Sequence, residues 1–131
     1  MLREKVIKNL PDSDLTLASE EYINDLLSAF PELPEEYLGL LREIGYGSYG
    51  KMGFSIYGGP LEPDEIFDPE TAKELENYIF IGDDYSGWMI GYEKTKKGYR
   101  FREFDHQNPL DFEPSNIVAF LDEELFREND L

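Results

Sequence analysis

The residues best suited to chemistry form an adjacent pair of aspartates, Asp83 and Asp84, between Gly82 and Gly87. Paired carboxylates can hold a divalent cation or share a proton. Adjacent aspartates are also typical of tight turns, in which their oxygens accept backbone hydrogen bonds. The segment lacks the ligand spacing and terminal glutamate of an EF-hand loop. We therefore favour a structural turn, or a partner contact, over a metal site or a catalytic pair.

The single histidine, His106, follows Asp105, and together with Ser86 these residues supply the three side-chain types of a hydrolase triad. No strand-to-helix nucleophile elbow surrounds Ser86, however. A histidine just before Asn108-Pro109, at a predicted strand end, is more typical of a surface or loop-anchoring residue. The chain also has no cysteine nucleophile. We predict that this protein is not an enzyme.

The segment 45–53, GYGSYGKMG, is rich in glycine. Its spacing matches neither the dinucleotide-binding motif nor the Walker motif, and it follows a predicted helix where both motifs need a strand. We therefore expect no phosphate-binding cofactor here. The segment is interpreted as a flexible connection that exposes Tyr46 and Tyr49.

The net charge of −17 disfavours binding to nucleic acid or to an anionic membrane, because phosphates would be repelled. It favours a basic partner that is steered electrostatically, although solubility alone is a sufficient explanation of such a charge. Five of the 12 cations lie within residues 94–102. Strand alternation there places Arg100 and Arg102 opposite Tyr99 and Phe101, so we predict that the aromatic rings face the core.

The elements that position these residues follow from periodicity. Apolar residues at helical spacing predict helices at 20–30, 34–45 and 115–126, and Asp68-Pro69 predicts the start of another that ends near residue 77. Alternation predicts strands at 54–57, 78–81, 88–93 and 99–105. This order predicts a single α+β domain, an antiparallel meander with helices packed on one face, over residues 20–131. Residues 1–19 are predicted to form an N-terminal arm or short helix.

Two kinds of aromatic residue are expected. Trp88 begins a predicted strand, so we expect its ring in the core and its indole N–H in a hydrogen bond. Tyr46, Tyr49, Tyr57 and Tyr85 lie in or beside glycine-rich loops, where exposed binding contacts are expected.

The absence of cysteine and of any apolar run near the ~20 residues that span a bilayer predicts a cytoplasmic protein without a membrane partner.

Three blocks of the chain resemble the SUKH superfamily, which includes yeast cell-wall-assembly regulators and many bacterial immunity proteins. The first is residues 33–38, LPEEYL, with Leu41 and the glycine-containing loop that follows. The second is residues 81–88, IGDDYSGW, similar to the family's strand–turn–strand motif. The third is residues 104–106, FDH, with 117–121, IVAFL. Trp88 departs from the small or acidic residue that the family often has after the turn glycine.

The resemblance implies a protein-binding module, commonly one that neutralises a cognate toxin, often a nuclease, by covering its active surface. The alternative is a regulatory or scaffolding module with a non-toxin partner. We expect contacts from the loops at 45–50 and 82–87, with acidic support nearby. The expected contact residues are Asp83, Asp84, Tyr85, Tyr46, Tyr49, Glu62, Asp64 and Glu65.

Overall fold

The computed structural model describes residues 2–50, 53–110 and 116–127. The helices are α1 (Leu2–Asn9), α2 (Glu20–Ala29), α3 (Glu35–Glu43), α4 (Pro69–Glu74) and α5 (Ile117–Arg127), with a 3-10 turn at Pro63–Glu65. The strands are β1 (Asp14–Thr16), β2 (Tyr46–Tyr49), β3 (Phe54–Leu61), β4 (Tyr78–Asp83), β5 (Trp88–Thr95), β6 (Gly98–Asp105) and β7 (Asn108–Pro109).

The described strands form one sheet in which spatial order equals chain order, β1 to β7, and all pairings are antiparallel. Its most regular part is the β5–β6 hairpin, which pairs without a break from Trp88 opposite Asp105 to Thr95 opposite Gly98. This arrangement confirms the predicted α+β class and the meander of three strands at its centre. β1, β2 and β7 were not predicted, and they extend the sheet at both edges.

The main core lies between one face of the sheet and four helices. Alternation sends Ile79 and Ile81 of β4 toward Ile23 of α2, Leu41 of α3 and Ile117 of α5, and all five are fully buried. Burial of such side chains stabilises a fold by roughly 1.5–3 kcal/mol each. The sheet thus gains most of its stability from this face.

The opposite face carries a smaller apolar cluster. Phe80, Met89 and Phe104 are buried there against Leu75, which follows α4. The rings of Phe80 and Phe104 lie 4.8 Å apart between centroids, and Phe67 meets Phe80 edge-on. The structure therefore adds a second layer to the predicted one-sided packing, made by the 3-10 turn and α4.

Helix starts follow the local sequence signals. The side chain of Asp68 accepts a hydrogen bond from the Thr71 amide, with Pro69 at the first helical position, as predicted. Pro34 precedes α3, and Gly45 follows it with a φ of +114°, the left-handed conformation that ends helices. The predicted start of the last helix at residue 115 lies outside the described residues.

β3 is longer than predicted. The strand was expected to stop at Gly58-Gly59-Pro60, but it continues to Leu61 with a register shift after Ile56. Tyr22 of α2 explains why residue 58 is glycine. The Tyr22 hydroxyl donates a hydrogen bond to the Gly58 carbonyl at 2.7 Å, and a Cβ on Gly58 would lie only 2.6 Å from the hydroxyl oxygen of Tyr22. The glycines therefore allow α2 to approach the strand and do not end it.

The N-terminal segment is part of the same fold. Val6 of α1 is buried in the main core, and β1 pairs with β2 through Leu15 opposite Gly47. The predicted short helix is present and ends before Pro11. Of the helices in the described ranges, none has the length and apolar character that crossing a bilayer requires.

Candidate functional site

Several loops meet at one end of the sheet. Ser48 pairs with Ser55, Ser55 with Asp83, and Trp88 with Asp105, so the ends of β2, β4, β5 and β6 lie side by side. We call this region the turn end, and it comprises Ser48, residues 83–88, Asp105 and His106. It contains the aspartate pair and the histidine that the sequence singles out.

Asp84 shapes the β4–β5 turn. One of its oxygens, Oδ1, accepts hydrogen bonds from the Ser86 amide, the Ser86 hydroxyl and the Trp88 amide at 2.9–3.0 Å. The Asp84 amide donates in turn to the Trp88 carbonyl. These contacts close the four-residue turn between β4 and β5, and they confirm the predicted structural role of the aspartate.

Asp83 connects this turn to the interior. Its Oδ1 accepts from the Tyr85 amide at 2.8 Å, and its Oδ2 accepts from the hydroxyl of Tyr57 on β3. Burial and the bond to Asp83 raise the pKa of Tyr57 well above its usual value, so the phenol remains a donor. Both aspartates therefore bond groups within the protein. Across the described ranges, no three acidic or histidine side chains gather closely enough to hold a metal ion.

Tyr85 is the exposed feature of the turn. Its φ is +68°, a left-handed conformation that is unusual for a bulky residue and costs roughly 1–2 kcal/mol. The Asp83 carboxylate holds its backbone amide, and its hydroxyl lies 2.9 Å from the Ser48 hydroxyl on β2. With 55% of its surface exposed, the ring is fixed at both ends and still accessible.

The neighbouring β6–β7 turn is linked to this one. His106 also has a positive φ, +62°, and its amide donates to the Gly87 carbonyl at 2.7 Å. Its ring lies so close to Gly87 that a Cβ there would come within 2.6 Å of Nε2. The two turns therefore form one packed unit.

The triad that can be written from Asp105, His106 and Ser86 does not assemble as a triad. His106 Nδ1 lies 2.8 Å from Asp105 Oδ1, but the Ser86 hydroxyl donates to Asp84. The exposed histidine is thus an anchor between two turns, in agreement with the loop-anchoring role that the sequence suggests.

The expected exposure of Tyr49 is wrong. Segment 46–49 is strand β2, and alternation turns Tyr49 toward the helices, where it is 1% exposed. Its hydroxyl donates to the Gly45 carbonyl at 2.6 Å. Of the glycine-rich segment, residues 51 and 52 lie outside the described ranges.

Tyr46 is half-buried and also differs from the expected free contact. Its ring stacks on that of Tyr22, with centroids 5.5 Å apart and planes 14° from parallel. Tyr57, a further expected contact, is half-buried beneath Asp83. Of the four tyrosines expected at a partner surface, Tyr85 alone has more than half of its surface exposed.

The three remaining expected contacts, Glu62, Asp64 and Glu65, lie elsewhere. They belong to the 3-10 turn, which follows the end of β3 that is remote from Asp83. Glu62 and Glu65 bond each other's backbone amides, so they cap this turn. The structure does not bring them to the turn end.

Two of these acidic residues, Glu62 and Asp64, border a groove instead. A cavity of about 540 Å³, which we call the acidic groove, is lined by Glu62, Asp64, Phe67, Pro69, Lys73 and Glu76. Exposed carboxylates also cover α2 and the start of α3, where Arg42 pairs with Glu20 at 3.0 Å and with Glu35. The acidic character of the chain is thus spread over several surfaces.

The aromatic residues of the central strands face the core as alternation predicts, although Trp88 is less buried than expected. Trp88 is half-buried against the core, and its indole N–H donates to Glu103 at 3.1 Å. Phe101 is buried, while Arg102 on the opposite face pairs with Glu93 at 2.8 Å. The lysines of the β5–β6 turn are exposed, as expected for a charged hairpin.

Sequence patterns did not indicate Ser48 as a component of the site, and they did not indicate that Tyr57 bonds Asp83. Each contacts the β4–β5 turn from a strand 26 to 37 residues earlier in the chain. Such contacts depend on register across three strands, which local sequence patterns do not reveal.

Comparison with family models, with curated proteins and with solved structures finds no match for this chain. The resemblance to the SUKH superfamily therefore stays a prediction.

Proposed function

We propose that this protein is a protein-binding module that docks onto a basic partner through its turn end. The observation that carries the proposal is the exposed ring of Tyr85. The backbone of this residue is left-handed, Asp83 bonds its amide, and Ser48 contacts its hydroxyl. Unfavourable backbone conformations persist where the surrounding structure enforces them, and they are frequent at binding sites. Tyrosine is enriched among the residues that dominate binding energy.

The cost of ordering Tyr85 is already met in the free protein. Its amide and hydroxyl are both bonded, so docking removes little conformational freedom from the ring. Asp84 and Asp105 flank it and give this surface a negative potential. A partner with an apolar pocket bordered by lysine or arginine has the complementary chemistry.

The other acidic surfaces act at longer range. Glu62 and Asp64 at the acidic groove, and Glu65 beside them in the 3-10 turn, add to a net charge of −17, which attracts a cationic partner before contact. Such steering raises the association rate and weakens with salt, because the Debye length falls from about 10 Å at 0.1 M to about 3 Å at 1 M. We assign these residues to steering and Tyr85 to the contact itself.

More specifically, we propose an immunity-type role in the cytoplasm, in which a one-to-one complex covers the active surface of a cognate toxin. A nuclease that grips phosphates presents cations, so an acidic protein can occupy the same surface. The SUKH-like blocks support this role. The internal bonds of Asp83 and Asp84 support binding over catalysis, since both side chains shape the turn.

The test takes any toxin domain that the neighbouring genes encode and measures its binding by titration calorimetry, together with survival of cells that express that toxin. We expect Tyr85→Ala to weaken binding by about 2 kcal/mol, close to thirtyfold, as for other buried aromatic anchors. Val118→Ala is the matched control, because Val118 is also exposed but lies on α5.

Equal loss in both variants would assign binding to another surface. Absence of binding, or no protection of the cells, would remove the immunity role. Capture of a partner with no toxic activity would favour the alternative, a regulatory or scaffolding module.

A further inference from the structure

The two edges of the sheet differ in how they are protected. β7 is two residues long and contains Pro109, which has no amide hydrogen to offer another strand. β1 carries no proline. A Cβ on Gly47 would lie 2.2 Å from the Asp14 carbonyl oxygen, and one on Gly45 would lie 2.7 Å from that of Thr16. Both carbonyls therefore point toward β2, and by alternation the N–H and C=O of Leu15 point outward from the open edge.

An apolar groove lies beside this open edge. It measures about 300 Å³ and is lined mainly by Ile7, Leu10, Leu15, Leu17 and Ile44. Ile7 and Leu17 are 62% and 51% exposed, more than any other large aliphatic side chain that the structure describes. Open backbone groups and exposed apolar side chains thus occur together.

The charge of this region differs from that of the chain as a whole. Residues 1–19 contain three cations, Arg3, Lys5 and Lys8, and three carboxylates, Glu4, Asp12 and Asp14. They are therefore neutral in a protein of charge −17. Two copies of the chain can approach here without bringing their acidic surfaces together.

We propose that β1 and the apolar groove form a symmetric interface with a second copy of this chain. A two-fold axis at Leu15 pairs β1 with its copy in antiparallel fashion, so that the two Leu15 residues exchange both hydrogen bonds. Asp14 then lies opposite Thr16 of the copy, and no like charges face each other. Ile7 and Leu17 of each copy cover the groove of the other.

Sedimentation velocity from about 1 to about 200 μM tests this interface, because the dimer fraction of a protein with a micromolar Kd rises from low to high across that range. We expect a concentration-dependent dimer that Leu17→Glu and Ile7→Glu each weaken at least tenfold. Val118→Glu introduces the same charge at an exposed apolar position on α5 and leaves the dimer intact. Circular dichroism verifies that each variant folds.

Hydrogen exchange at the Leu15 amide gives a second readout. Exchange should slow as concentration rises and should stay fast in Leu17→Glu. A monomer throughout the range, or a dimer that Leu17→Glu does not weaken, would overturn the proposal. Protection of Leu15 that appears only when another protein is added would assign the edge to that protein instead.

Discussion

The turn end and the acidic groove both carry several carboxylates, but they use them differently. At the turn end, Asp83 and Asp84 together accept five hydrogen bonds from groups within the protein. Around the acidic groove, Asp64 and Glu76 are exposed, and neither makes an ion pair in the described part of the chain. Asp83 and Asp84 thus fix backbone conformation, whereas Asp64 and Glu76 supply only an electric field.

Acidic composition alone therefore does not locate a binding surface in this protein. Hydrogen bonds to a charged acceptor contribute about 1.5–3 kcal/mol, whereas an exposed charge contributes little to stability. Substitutions in the two regions should therefore separate stability from steering.

The largest effect is expected for Asp84→Ala. The variant loses an acceptor for two backbone amides and one hydroxyl, so the free energy of unfolding should fall by about 3 kcal/mol. Glu74→Ala on α4, an exposed position, should stay within about 0.5 kcal/mol of the parent. Urea denaturation measures both. Equal free energies of unfolding for the two variants would show that carboxylates in the two regions contribute equally to stability.

Gly87→Ala should cost about 2 kcal/mol, because the new Cβ meets the His106 ring and the φ of Gly87 is +110°. In a protein that already carries His106→Ala, the steric contribution to the cost of Gly87→Ala should disappear, and only the contribution from the backbone conformation should remain. A double-mutant cycle in thermal denaturation measures that coupling. Strict additivity would show that the two turns do not act as a unit.

Tyr57→Phe removes the donor to Asp83 and should cost about 1.5 kcal/mol at neutral pH. The folded-state pKa of Tyr57 is raised, so its stabilising contribution is complete below the usual tyrosine pKa of about 10 and is lost as pH rises above it. Unfolding curves at increasing alkaline pH should therefore bring the parent and the variant together. A difference in the free energy of unfolding that widens with pH would contradict the stabilising role of the Tyr57–Asp83 hydrogen bond.

The smallest effect on stability is expected at the acidic groove. The double variant with Asp64→Lys and Glu76→Lys should change the free energy of unfolding by less than about 0.5 kcal/mol per substitution. The same variant should slow association with a basic partner severalfold at low salt and converge with the parent at high salt. Stopped-flow association rates measure this. A change confined to the dissociation rate would mean that the acidic groove itself contacts the partner.

Much of the fold was predictable because its signals are local. Asp68-Pro69 specifies a helix start within two residues, and the alternation of residues 78–105 specifies three strands joined by short turns. β1 and β2 were not predictable in the same way. Each is three or four residues long, and the glycines of β2 obscure the alternation that buries Tyr49.

The candidate site was predictable only in part. The turn-forming role of Asp84 is contained in its own neighbours, which is why the sequence indicated it. The separation of Glu62 from Asp83 depends on strand register and on which face the 3-10 turn covers. Neither is encoded in a short window, so residues that looked like one acidic surface occupy two.

The sequential order of the strands has a consequence for how the molecule opens. Each strand that the structure describes pairs only with its neighbours in the chain. Detaching β1 or β7 therefore breaks one ladder and leaves all the others intact, whereas freeing β4 or β5 breaks two. Fluctuations of such a sheet begin at its borders and reach the middle last. The β4–β5 turn that carries Tyr85 joins two strands from the middle of the sheet. The rigidity of Tyr85 is therefore inherited from the part of the sheet that separates last.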